Sequence, residues 1–244
     1  SDNTFNASHI SQSLNYDYEI VKKYNHNFKN LSTIILPVSY FTLYGKLETG
    51  VEAWRVKNYN IYYDINTSKA LKDHTEILGN KINVNVQRIK AYYISGKSNI
   101  SCTPLGWGLD YNSTKTNDLY KSGKTAALRH SKDDINSEKW TAVFKENTQI
   151  LQSIIAWAKA KNIQVLLFTP PAFETYRNNL NKEQLNRTIY TINQLVKQTD
   201  NCTYINLLSD SNFVAKDFYD ADHLNEIGAK KLSLMINNIV AQNK

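Results

Sequence analysis

The sequence predicts an α/β fold in which helices cover both faces of a mainly parallel sheet, as a three-layer sandwich. Three segments, at residues 31–38, 163–168 and 202–207, predict strands, and the first is a continuous apolar run typical of a strand that is buried on both faces. Amphipathic helical patterns separate these segments along the chain. Because strands that alternate with helices form βαβ units, the three strands are expected to run parallel.

The elements before the first apolar run are shorter. Residues 4–7 predict a short, weak strand, and residues 8–13 predict a loop. Ser13 is expected to cap a helix from Leu14 to about Tyr24, because a hydroxyl at this position accepts a hydrogen bond from a free helix N–H. The apolar residues of that helix lie on one stripe: Leu14, Tyr18, Val21 and Tyr24.

No clear period follows the first apolar run. Between residues 39 and 137 the aromatic side chains are dense, but Gly, Asn, Ser and Lys interrupt every pattern. We interpret residues 45–138 as a long insertion of short helices and loops that covers one end of the sheet, within a single domain of residues 1–244. Exposed aromatic rings there would bind sugars, but their packing against the sheet is the stronger interpretation.

Clear periodicity returns at Lys139. Phe144, Leu151 and Ile155 share one face of a predicted helix that ends near residue 161. Leu185, Ile189, Ile192 and Val196 predict a second helix, and residues 226–242 predict the last.

The charge pattern argues against nucleic acid as the partner. The net charge is +7, from 29 Lys and Arg against 22 Asp and Glu, but the basic residues are scattered. Proteins that bind nucleic acid cluster such residues on one face. A preference for anionic surfaces or glycans stays open.

The two cysteines, Cys102 and Cys202, lack the spacing of metal ligands. We predict no metal and no cofactor, and either one disulfide bridge or two free thiols. No apolar run reaches the roughly 18 residues of a membrane span, and no signal peptide is present. The abrupt start of the chain indicates a processed or truncated form.

The strongest chemical signal is the segment from Phe218 to Asn225, just before the last helix. Asp220 precedes His223 by three residues, so the carboxylate can orient the imidazole as it does in serine hydrolases. Loops at the carboxyl ends of parallel strands carry function, and residues 8–13, 39–42 and 169–173 form three others. Alternatively, Asp222 or Asn225 only caps the last helix and His223 is solvated.

Over essentially its whole length the chain resembles the SGNH/GDSL hydrolases, and most closely a bacterial subgroup that is frequent in Bacteroidetes. The most specific match is Asp220 to His223, which corresponds to the Asp-x-x-His block of the family. The other matching segments are Phe5–Leu14, Leu36–Phe41, Trp107–Leu109, Arg129–His130 and Thr169–Pro171.

The resemblance implies a role for each matching residue. His223 would be the general base and Asp220 its orienting acid, whereas Asp222 would be an intervening residue. Ser11 stands where the family has an oxyanion-binding glycine, and Ser39 stands where it has an oxyanion-binding asparagine. Backbone and hydroxyl donors are chemically adequate in both places.

The nucleophile is not evident. The family carries it in a Gly-x-Ser block after an apolar strand, which we expect upstream of residue 1. Ser8, in Asn6–His9, is the alternative nucleophile. His9, His26 and His74 fit structural roles, and the pair Arg129–His130 either reaches the site or has a core or surface role.

The resemblance implies an esterase or O-acetyltransferase that acts on acylated small molecules or glycans through an acyl-serine intermediate. The alternative is an inactive SGNH-like domain that binds a glycan or a protein. The resemblance also favours an extracytoplasmic location, with a membrane anchor outside this chain. If the first strand is missing, another chain or a rearranged N-terminus is expected to cover the sheet edge.

Overall fold

The structure is a computed structural model that describes residues 4–97 and 101–242. These residues group into two compact units. Unit 1 comprises residues 1–28 and 45–107, and unit 2 comprises residues 29–44 and 108–244. The predicted insertion is therefore divided between the two units, whereas the assignment of residues 1–244 to a single domain remains a prediction.

Unit 1 consists of short helices around an aromatic core. Its helices are α1 (Leu14–Tyr24), α2 (Val56–Tyr62), α3 (Glu76–Gly79) and α4 (Ile82–Tyr93), with 3-10 turns between them. The rings of Tyr16 and Tyr59 stack at the centre, with centroids 3.8 Å apart. The other buried members of this core are Ile20, Leu47, Val56 and Ile65.

Two predictions for the N-terminal segment are wrong. Residues 4–7 form no strand, because Asn6 bonds to a turn: its N–H and side-chain amide donate to the carbonyls of Leu105 and Gly106. Helix α1 begins at Leu14 as predicted, but Ser13 does not cap it with its side chain. The Ser13 hydroxyl instead accepts the Leu47 N–H at 3.2 Å, and it donates to the Asn15 side chain.

Unit 2 contains the predicted parallel sheet. Its strands β1 (Thr33–Pro37), β2 (Gln164–Thr169) and β3 (Cys202–Asn206) pair in that order, and both pairings are parallel. The α/β class and the parallel sheet are thus confirmed for the residues that the structure describes.

The prediction that β1 is buried on both faces is wrong. Five of the six residues of β2 are buried, because β2 lies between two strands. In the described part of the chain β1 pairs on one side only, and Ile35 is 37% exposed. Coverage of the outer side of β1 by another chain remains a prediction.

Unit 2 contains the three helices that the sequence predicts, together with two that it does not. The five are α5 (Leu119–His130), α6 (Glu138–Ala160), α7 (Glu174–Arg177), α8 (Lys182–Lys197) and α9 (Glu226–Gln242), of which α6, α8 and α9 are the predicted ones. Helix α9 packs Ile236 against Leu166 and Phe168 of β2, and α6 also contacts β2. A two-stranded antiparallel ribbon, β4 (Phe218–Asp220) and β5 (His223–Leu224), precedes α9.

Neither cysteine is in a disulfide, so of the two alternatives the structure has free thiols: Cys102 is exposed and Cys202 is buried. Burial raises the pKa of the Cys202 thiol to about 12. In the part of the chain that the structure describes, no helix is both long and apolar enough to span a bilayer.

Helices α5 and α7 approach closely at Gly123. A Cβ at this position would lie 2.3 Å from the Thr175 hydroxyl oxygen and 2.7 Å from the Tyr176 nitrogen. We predict that Gly123→Ala lowers the free energy of unfolding by about 1–3 kcal/mol, because overpacking forces the two helices apart. Urea denaturation measures this, with the exposed neighbour Lys124→Ala as the control. Equal stability of both variants would contradict the close approach.

Candidate functional site

Two backbone hydrogen bonds hold the loop between β4 and β5 from opposite sides. The Ala221 carbonyl accepts the Phe173 N–H at 2.8 Å, from the segment after β2. The Ala221 N–H donates to the Ser122 hydroxyl of α5 at 3.2 Å. Ala221 is fully buried, so the loop that carries Asp220, Asp222 and His223 is fixed at its centre.

Asn225 fixes the other end of this loop. Its side-chain oxygen accepts the N–H groups of Ile227 and Gly228, at 3.0 and 3.1 Å, and so caps α9. Its amide nitrogen donates to the carbonyls of Lys216 and Phe218. Capping by Asn225 and a catalytic role for His223 are therefore compatible, because different side chains serve them.

We predict that Asn225→Ala lowers the free energy of unfolding by about 2–3 kcal/mol, because it removes the cap of α9 and leaves buried backbone groups unbonded. Urea denaturation provides the measurement. Asn237→Ala, at an exposed position of α9, is the control and should change stability by only a few tenths of a kcal/mol. Equal effects of the two substitutions would contradict the structural role of Asn225.

Asp220 and His223 form a hydrogen-bonded pair, as the sequence predicts. The His223 Nδ1 lies 2.8 Å from the Asp220 Oδ1. The His223 side chain is 39% exposed and that of Asp220 is 17% exposed. Among the described residues of unit 2, no group hydrogen-bonds to the His223 Nε2. The imidazole is thus bonded on Nδ1 to Asp220, and its Nε2 has no bonded partner among the described residues of unit 2.

The two carboxylates beside the ring favour its protonated form. Burial has the largest single effect and lowers the pKa of His223, but the hydrogen bond to Asp220 and the charges of Asp222 and Asp220 outweigh it. The pKa of His223 therefore lies above its ordinary value. Burial raises the pKa of Asp220, yet the hydrogen bond to His223, the charge of His223 and the hydrogen bonds to Asp222 together outweigh it, and the pKa lies below its ordinary range. The pair is an imidazole of increased basicity beside an ionised carboxylate.

Asp222 lies beside the His223 ring, although the family resemblance makes it only an intervening residue. Its side chain is only 7% exposed, and its Oδ1 lies 3.6 Å from the His223 Nδ1. The Arg129 Nη2 lies 3.5 Å from its Oδ2. Burial raises the pKa of Asp222 to about 6, against the opposing charge of His223. Asp220 has the shorter contact, so it is the better orienting group and Asp222 adds charge.

Arg129 and His130, at the end of α5, both approach the site. The His130 Nδ1 lies 3.8 Å from the Asp222 Oδ2 and 2.9 Å from the Tyr176 hydroxyl. The Phe41 ring covers His130 with a centroid distance of 4.0 Å. Burial, together with the Arg129 charge, lowers the pKa of His130 to about 3. His130 is therefore a neutral residue at one side of the site, and Arg129 supplies a positive charge beside Asp222.

Tyr111 is a site residue that the sequence reasoning missed. Its ring stacks on Tyr219 at 4.7 Å and lies 5.1 Å from the His223 ring. Tyr111 belongs to the segment without periodicity, so no sequence pattern indicated its position. Its ring gives His223 an aromatic neighbour on the solvent side.

Ser39 follows β1 at the carboxyl end of the sheet. Its N–H donates to the Thr42 hydroxyl at 2.9 Å, and its own hydroxyl lies 3.0 Å from the same oxygen. When Thr42 donates its single hydroxyl proton to Ser39, the Ser39 O–H remains free to donate elsewhere. The backbone N–H of Ser39 is used within the loop, so only its hydroxyl suits the predicted oxyanion role.

Ser8 and Ser11 belong to unit 1. Both the N–H and the hydroxyl of Ser8 bond to the Asn6 side-chain oxygen. Ser11 has a φ of 61°, in the left-handed region that glycine adopts most readily. In the same unit the His9 Nε2 bonds to the Tyr63 hydroxyl, and the His74 Nε2 bonds to the Ser68 carbonyl.

Asp220, Asp222 and His223 also offer three ligand atoms that lie within 4.8 Å of one another. Two contacts compete with a cation there. The His223 Nδ1 is already bonded to Asp220, and the Arg129 guanidinium lies beside Asp222. The geometry therefore favours the acid–base pair over a metal centre.

The two cavities found in unit 1 do not contain these residues. One has a volume of about 570 Å³ and the other of about 650 Å³. Trp54 lines both, and Arg55 and Tyr62 line the larger one. The candidate site is thus identified by its acid–base geometry and not by the size of a cavity.

A family described as "Protein of unknown function (DUF1574)" matches residues 8–228 of the chain. This range contains Ser8, Ser11, Ser39, Asp220 and His223. No curated protein and no solved structure matches the chain. Because the match covers most of the 244 residues, the chain belongs to the DUF1574 family.

Proposed function

We propose that the chain is an SGNH-type hydrolase domain in which His223 is the general base and Asp220 its orienting acid. The observation that carries this is the 2.8 Å bond between the His223 Nδ1 and the Asp220 Oδ1. A base that activates a hydroxyl nucleophile requires this arrangement. The parallel sheet, and the position of Ser39 at its carboxyl end, support the three-layer α/β fold that we propose for this domain.

The reaction proposed is acyl transfer from an ester. The His223 Nε2 takes the proton of a serine hydroxyl as the serine oxygen attacks the carbonyl carbon. The protonated imidazole then gives this proton to the leaving alkoxide, which yields an acyl-serine. Water, or the hydroxyl of an acceptor, loses a proton to Nε2 and attacks the acyl-serine, and the serine regains its proton. Ser39, in unit 2, is the proposed oxyanion donor, and Ser11 as a second donor stays a prediction of the sequence.

The identity of the nucleophile is a separate part of this proposal. In the described part of unit 2 no serine hydroxyl bonds to the His223 Nε2. Ser8 is the candidate within this sequence, and a serine outside it is the other candidate. The φ of Ser11 supports the resemblance, because a family glycine place is expected to need this backbone conformation.

The substrate class proposed is an acylated glycan or small molecule. The aromatic neighbour of His223 is Tyr111, which also stacks on Tyr219, and such rings offer faces of the kind that stack on sugars. An extracytoplasmic location and an anchor outside the chain are part of the same proposal. The alternative is a domain that binds a glycan or a protein without catalysis. It is favoured because no serine hydroxyl in the described part of unit 2 bonds to the His223 Nε2.

Hydrolysis of p-nitrophenyl acetate and of an acetylated xylan by the purified full-length protein separates these functions. The proposal predicts release of nitrophenol and of acetate above the buffer rate. No release from either ester, together with calorimetric binding of the xylan, would overturn the enzyme and support the binding domain.

A further inference from the structure

Helix α4 turns its apolar side toward solvent. Ile82, Val86, Ile89 and Tyr93 recur every three or four residues and so form one stripe. Their exposed fractions are 79%, 44%, 58% and 79%. A surface helix of a globular protein normally buries such a stripe in the core. Helix α4 has no buried residue at all.

The polar side of α4 holds it to unit 1. The Asn85 amide donates to the Ile77 carbonyl at 3.2 Å, and the Arg88 Nη1 lies 3.2 Å from the Glu76 Oε2. Glu76 is itself bound by the Lys57 Nζ at 2.7 Å, and the Lys57 side chain is only 2% exposed. These bonds fix the orientation of α4, so they direct its apolar stripe toward solvent.

Neighbouring residues enlarge this stripe. Ile77 and Leu78 of α3 are 75% and 56% exposed, and Ile94, just after α4, is 78% exposed. Together they form what we call the α3–α4 apolar surface: Ile77, Leu78, Ile82, Val86, Ile89, Tyr93 and Ile94. Helices α3 and α4 are in contact, and exposed apolar residues in such number on neighbouring elements mark an interaction surface.

The segment that contributes this surface adds charge of one sign. Residues 77–109 contain no Asp and no Glu, whereas Lys81, Lys90 and Lys97 are basic. Arg88 is basic too, but it is paired with Glu76. Lys90 lies four residues from Val86, so it is adjacent to the stripe on the helix surface. An apolar face with a basic rim complements an anionic lipid interface. A second copy of the chain would instead bring cations opposite cations.

We propose that the α3–α4 apolar surface binds in the interface of a bilayer that contains anionic lipids. Ile82, Val86 and Ile89 enter the boundary between headgroups and acyl chains. Tyr93 lies at the headgroup level, where tyrosine is enriched. The basic rim contacts lipid phosphates. This binding uses no residue of the Asp220–His223 site and is independent of any esterase activity.

Flotation with vesicles tests the proposal on the whole chain. We expect binding to phosphatidylcholine vesicles that contain phosphatidylglycerol, and weaker binding to phosphatidylcholine alone or at high salt. Ile82→Ser with Ile89→Ser should weaken binding at least about tenfold, and Lys90→Gln about fivefold. Leu234→Ser and Lys182→Gln, at exposed positions of α9 and α8, are the matched controls and should bind as the wild type.

Thermal unfolding checks that the variants fold, and α4 has no buried residue whose loss would unfold the unit. Lys90→Gln and the salt dependence also test the surface without an apolar substitution. Equal flotation of the wild type and of the Ile82/Ile89 variant would overturn the proposal. So would a lipid-free dimer that this variant abolishes, because the surface would then bind a second copy.

Discussion

Replacement of His223 by alanine is expected to abolish ester hydrolysis. Without the imidazole no group takes the proton of the nucleophile, and loss of the base in serine hydrolases lowers kcat by roughly 10³- to 10⁶-fold. The measurement is kcat/KM for p-nitrophenyl acetate at a pH above the raised pKa of His223. There the wild-type ring is neutral and competent as a base.

His26→Ala is the control for this substitution. His26 is exposed and lies in a 3-10 turn of unit 1, so its loss removes an imidazole without changing the Asp220–His223 pair. We expect wild-type rates from His26→Ala. Equal rates for His223→Ala and the wild type would remove His223 from the mechanism.

Asp220→Asn is expected to lower kcat at least about a hundredfold, because an amide cannot stabilise the imidazolium and favours the wrong tautomer. Asp222→Asn should lower it less than about tenfold, since Asp222 is 3.6 Å from the His223 Nδ1 whereas Asp220 is 2.8 Å away. The two substitutions are isosteric, so each is the packing control for the other. A larger loss from Asp222→Asn would reverse the assigned roles.

The pH profile gives a second measurement of the same pair. A base is active when neutral, so the rate should rise as pH increases through the pKa of His223, which lies above the ordinary 6.5. Asp220→Asn removes the hydrogen bond and charge that raise this pKa, so the rise should move to lower pH. An unchanged profile would contradict the contact between the two side chains.

Much of unit 2 was predictable from the sequence because its signals are local. The apolar run of β2, and the helical periods of α6, α8 and α9, reflect burial that recurs within one element. The pair Asp220 and His223 was predictable for the same reason, since three residues separate its members. A ribbon with a tight loop brings them together.

The features that the sequence missed, predicted wrongly or left open depend on contacts between distant segments. Ser13 occupies the cap position of α1, but the Leu47 N–H takes its hydroxyl. Arg129 meets Asp222 only because α5 lies beside the loop after β4. Tyr111 stacks beside His223 from a segment without periodicity. Tertiary packing decides such contacts, and a single sequence does not encode them as a local pattern.

The most direct test of the Asp220–His223 site is labelling with a fluorophosphonate, which reacts with a serine that a general base has activated. Mass spectrometry of the labelled peptides identifies the serine. The proposed function predicts one labelled serine in the full-length wild-type protein and in full-length His26→Ala, and no labelling in full-length His223→Ala. A wild-type protein without label, or equal labelling in His223→Ala, would contradict the assignment of His223 as a catalytic base.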